Sequence, residues 1–119
     1  MKFSDERKNY ILNEYLENIL YITDKEYQKK AWIRGEGPDF DEAVCRFCDI
    51  GDPILSEYNE FGITESQFQL LKKLRDEFEI FFDKNDWPQE FIDTPEWEKI
   101  INLAKEVLKA FDYPKKHML

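Results

Sequence analysis

The stretch "TPEWEKIINLAKEVLKAF", residues 94–111, decides the fold class. Trp97, Ile100, Ile101, Ala104, Val107, Leu108 and Phe111 recur at alternating spacings of three and four. That is the period of an α-helix with one apolar face. Thr94 has the oxygen to cap the start and Pro95 fits the first helical position, where a backbone N–H has no partner anyway. Pro114 ends the pattern, and residues 114–119 read as a flexible tail.

Working back along the chain, Thr64 with Gln67 forms a capping box, followed by a stripe of Phe68, Leu71, Leu74, Phe78, Phe81 and Phe82. At the other end Ser4 opens a helix to Ile22, with Leu12, Tyr15, Leu16, Ile19 and Leu20 on one side. Asp24 opens a second helix through Tyr27, Ala31 and Trp32, and Gly35 closes it. Between these lies "RGEGPDFDEAVCRFCDIGDP", residues 34–53. Asp39 with Glu42 reads as a cap before a short helix carrying Phe40, Ala43, Val44 and Phe47. Gly51 reads as its break, and Asp52-Pro53 as the start of a further turn through Ile54, Leu55 and Tyr58. No pair of strands, internal repeat or low-complexity segment is visible, and a small sheet in the middle third is the competing reading. The expectation is an all-α, compact single-domain bundle of four to six helices spanning residues 1–119. Ten Phe, six Tyr and three Trp supply its core, each large buried side chain contributing on the order of 1.5–3 kcal/mol.

Charge narrows the function. The chain has 17 basic and 26 acidic residues, a formal net charge of −9. From Glu36 to Glu60 the net is −7 and from Asp76 to Glu98 it is −8, while the remainder sums to +6. Nucleic acid and anionic membrane surfaces both require clustered Lys and Arg, so neither is an expected partner. A basic protein is, and opposite charge would speed the encounter. The N-terminal "MKFSDERKN" turns charged at once, with no apolar run of signal-peptide length, and two cysteines fit a reducing compartment; the expected location is the cytoplasm.

Most chemistries are poorly supplied. Cys45-x-x-Cys48 has neither the strand that precedes a redox pair nor the further ligands that zinc needs, and it reads as two structural thiols. "DFDEAV" runs into a helix and "DIGDP" is too short for a calcium loop. Ser4 and Ser66 are explained by helix starts, and the one histidine, His117, sits in the tail. Gly35 and Gly37 precede neither a lysine nor a strand-linked helix, so no phosphate loop is present. No catalytic residue, metal or cofactor is expected, and the chain does not read as an enzyme.

What remains is the acidic cluster. Glu36, Asp39, Asp41, Glu42, Asp49 and Asp52 fall within 17 residues, interleaved with Trp32, Phe40 and Phe47. Carboxylates beside aromatics are what an inhibitor of a basic protein presents: the acids pair with Lys and Arg while an aromatic anchors the centre. The expected partner-binding residues are those six acids with Trp32 and Phe40. The alternative is a charged surface that keeps a small protein soluble.

The stretch "WIRGEGPDFDEAVCRFCDIGDPIL", followed by "FGITESQFQLLKKLRDEFEIFF", resembles a group of small bacterial immunity proteins. These are the cognate inhibitors of ribonuclease toxins in contact-dependent growth inhibition and related polymorphic toxin systems. The likeness rests on a Trp, a Gly-x-Gly, a Phe-Asp-Glu, an aromatic helix, and then Gly-Ile-Thr-x-x-Gln with Leu-x-x-Leu-Arg after it. It covers roughly residues 27–82. It implies a tight complex with a toxin domain, formed by blocking its active site or substrate surface, with no enzymatic activity; it carries over no binding residues. The competing class is a small acidic adaptor or regulatory subunit for a housekeeping protein, and an unrecognised hydrolase is a distant third.

Overall fold

The computed structural model describes residues 4–85 and 87–113. The expected tail, with His117, and Asp86 of the second acidic segment lie outside the described residues. Six α-helices follow in order: α1 (Asp5–Ile22), α2 (Lys25–Gln28), α3 (Phe40–Ser56), α4 (Glu65–Lys84), α5 (Pro88–Phe91) and α6 (Pro95–Ala110). A π-helical turn (Lys29–Ile33) extends α2, and a 3-10 turn (Tyr58–Phe61) follows α3. No strand occurs among the described residues, so the chain is an all-α domain and the middle third holds no sheet.

The predicted caps are in place. Ser4 Oγ accepts the Arg7 amide at 3.1 Å, Asp24 Oδ1 that of Tyr27 at 3.0 Å, and Thr94 Oγ1 that of Trp97 at 3.2 Å. Thr64 and Gln67 form the full reciprocal box, at 3.1 and 2.9 Å. Each such cap satisfies a donor that the helix itself cannot. Gly35 adopts the left-handed φ of 73° and lets the Glu36 amide reach back to the Lys30 carbonyl at 2.9 Å, closing the α2 segment as expected.

Two expectations for α3 are corrected. The helix is continuous for 17 residues, through both Gly51 and Pro53, and no new turn starts at Asp52. Gly51 marks a close approach: a Cβ there would stand 2.8 Å from the ring and the hydroxyl of Tyr15. Pro53 removes one amide within the final turn, and the helix continues past it through the Glu57 amide, bonded to the Pro53 carbonyl at 3.1 Å.

α4 lies along α6, while α1 packs on α3 and α6. Their apolar stripes meet around Trp97, which is fully buried. The rings of Phe81 and Phe91 lie 5.1 and 5.0 Å from it, and those of Trp32 and Phe78 5.9 and 6.1 Å. Tilted and edge-on pairs of this kind add to the burial of their area. The core also encloses one polar side chain, Gln28. Its amide nitrogen donates to the carbonyls of Tyr21 and Ile22 at the end of α1, and its oxygen accepts the Trp97 indole N–H at 3.0 Å. Both ends of the carboxamide are thus satisfied, as burial demands.

Candidate functional site: an acidic groove at the start of α3

Because α3 is unbroken, its acids take a definite arrangement. Phe40, Phe47, Gly51 and Ile54 face inward, while Asp41, Cys45, Asp49, Asp52 and Ser56 fall on one exposed stripe at helical spacing. At 1.5 Å per residue, Asp41 and Asp52 stand roughly 16 Å apart along the axis. The structure therefore divides the predicted cluster into two ends.

At the far end Asp52 Oδ1 accepts from Arg75 of α4 at 2.7 Å. It ties α3 to α4 and caps nothing, contrary to the reading of Asp52 as a helix start. Asp49 is exposed beside it with no hydrogen bond or ion pair among the described residues. At the near end Asp39 does cap: its Oδ1 accepts the Glu42 amide at 2.9 Å. The reciprocal bond from the Glu42 side chain, which a full box requires, is absent among the described contacts. Asp41 and Glu42 are exposed with carboxylates that pair with nothing described, and Glu36 makes only a loose contact with Arg34 at 3.9 Å, both side chains being about half exposed. Such a pair contributes little.

Trp32 and Phe40 are the second correction. They are 7 % and 4 % exposed, with ring centroids 5.1 Å apart, and they belong to the core. Acid-aromatic interleaving in the sequence reflects a helix with one wet and one dry face. Their outer edges nevertheless form the floor of a groove of about 320 Å³ between the start of α3 and the turn entering α5. Asp39 and Asp41 line it from the first acidic segment, and Ile33, Trp87 and Gln89 from elsewhere. Trp87 is 60 % exposed, the only tryptophan outside the core. Sequence reasoning missed it. The available signal was a tryptophan off every helical stripe, held next to Pro88 at the head of a four-residue helix. Its carboxylates come from the first acidic segment alone, the second contributing Trp87, Pro88 and Gln89, and no lysine or arginine lines it.

The cysteines are free; Cys45 is exposed, against its expected place as a structural thiol, and Cys48 is half-buried. Burial raises the Cys48 thiol pKa, opposed by the nearby Arg75. Among the described residues, no group of three or more His, Cys, Asp or Glu is placed to hold a metal ion. A cavity between α1, α2 and α3 has room for only about 20 Å³, one water's worth. No helix among the described residues is long and apolar enough to cross a membrane. Compared with family models, curated proteins and solved structures, the chain matches none.

Proposed function

We propose that the protein is an immunity-type inhibitor that binds a basic toxin domain, a nuclease by preference, and occludes its active site or substrate surface from the cytoplasm of the cell it protects. The observation that carries this reading is the groove: the start of α3, with the unpaired carboxylate of Asp41 and the partly committed one of Asp39, meets Trp87, exposed and distant in sequence, beside exposed Ile33. A surface kept acidic only for solubility does not need a large apolar ring at its centre, whereas a binding surface does. The resemblance of residues 27–82 to immunity proteins points the same way.

This reading expects a basic toxin domain to be encoded directly upstream, and the test is co-expression with it. The protein should restore growth and co-purify with that domain in a defined ratio. If growth is not restored although both chains are made, the reading fails, and the adaptor class takes its place.

A further inference from the structure

We infer that the groove between α3 and α5 takes the guanidinium of one arginine presented by the partner, stacked on Trp87 and forked onto Asp41. This rests on the proposed reading that the groove is the partner-binding surface, and names the chemistry that fills it. Four large apolar side chains are exposed among the described residues: Tyr10, Ile33, Ile80 and Trp87. Two of them, Ile33 and Trp87, converge on this groove. An exposed indole is the best of the aromatic faces for a cation.

The charges agree. Asp41 is committed to nothing else among the described residues, and Asp39 spends one carboxylate oxygen on its cap and retains the other. With no cationic side chain in the lining, an anion would be repelled. A neutral apolar group would strip water from two carboxylates with no compensation. Between the two cations, the groove discriminates. Ammonium is compact and strongly hydrated, and its best site is wet. Guanidinium is flat and more weakly hydrated, so it can lie against indole and isoleucine while its edge makes parallel hydrogen bonds to a carboxylate. At about 320 Å³ the groove is at the small end of binding sites, the size for one long side chain rather than a loop.

The experiment uses the full chain, 15N-labelled, titrated with N-acetyl-arginine methylamide and, in parallel, N-acetyl-lysine methylamide. Expected are saturable shifts of the Trp87 indole and of the Asp39 and Asp41 amides with the arginine probe. The lysine probe should bind more weakly, and Trp87→Ala or Asp41→Asn should reduce arginine affinity roughly 3- to 30-fold, the span of a cation–ring contact. Both side chains are exposed, so circular dichroism of the variants should match the parent. Absent or unsaturable shifts, equal affinity for the lysine probe, or an arginine affinity unchanged by Trp87→Ala overturn the inference. The two claims fail separately. A toxin domain bound with unchanged affinity by Trp87→Ala would remove the arginine site and leave inhibition standing. A seated arginine probe with no protection of growth would remove inhibition and leave the site.

Discussion

The indole nitrogen of Trp97 donates to the side-chain oxygen of Gln28 across 3.0 Å, 69 residues apart in the chain and fully enclosed. The same carboxamide donates to the Tyr21 and Ile22 carbonyls. One glutamine thus ends α1, sets the position of α2 and fixes the ring around which the core packs. Replacing it with Leu keeps the volume and orphans the indole N–H and the Ile22 carbonyl. The expected loss is about 2–4 kcal/mol in urea denaturation, since each orphaned buried group costs about 1–3 kcal/mol. Trp97→Phe combined with Gln28→Leu should lose less than the sum of the two single changes. Strict additivity would show that the bond does not couple them.

Tyr15 and Gly51 give a second prediction. Gly51→Ala drives a methyl to 2.8 Å from the Tyr15 ring. The overpacking should cost about 1–3 kcal/mol, more than the gain of up to about 1 kcal/mol from alanine in a helix. A stabilised Gly51→Ala variant would mean that the contact yields freely.

The Tyr15 hydroxyl is buried without a hydrogen-bond partner, and burial, the largest influence on it, pushes its pKa well above the ordinary value of 10.0. Tyr15→Phe should therefore be neutral or stabilising at pH 7. The alkaline limb follows from linkage. The folded protein holds this proton more tightly than the unfolded chain does. The associated stability is complete below pH 10 and falls as pH rises above it, by up to about 1.4 kcal/mol per pH unit. The Phe variant should lose stability less steeply above pH 10; parallel curves would contradict the assignment.

The thiols should differ. Cys45 is exposed and Cys48 half-buried with a raised pKa, so Cys45 should react first and faster with a thiol-specific disulfide reagent at pH 8. Cys45→Ser should shift stability by less than about 0.5 kcal/mol, and neither replacement should reduce inhibition. Equal labelling rates would contradict the packing of Cys48.

Local chemistry made much of this fold legible. Ser4, Asp24, Asp39, Thr64 with Gln67, and Thr94 with Pro95 announce helix starts through short-range bonds, and the stripes of α4 and α6 announce their inner faces. What depended on distant segments was not legible. Gly51 looks like a break until Tyr15, 36 positions upstream, is seen resting on it. Asp52 looks like a cap until Arg75 arrives from α4. Trp32 and Phe40 look like surface anchors until Phe91 and Trp97 close over them. The acids of the site could be listed from sequence. Their division into two ends and the role of Trp87 follow only from the packing of α5 against the π-helical turn.

The claim that position rather than bulk charge makes the near end of α3 a binding surface is tested most directly by association kinetics. The parent and two charge-matched variants, Glu36→Gln/Asp41→Asn and Glu79→Gln/Asp83→Asn on α4, are mixed by stopped flow with the basic toxin domain at several salt concentrations. Both double variants remove two negative charges from exposed sites and should melt close to the parent temperature. The groove-end variant should associate more slowly and with a shallower salt dependence, while the control stays near the parent rate. Equal slowing of both would reduce the effect to net charge, and slowing of the Glu79/Asp83 variant alone would place the interface on α4.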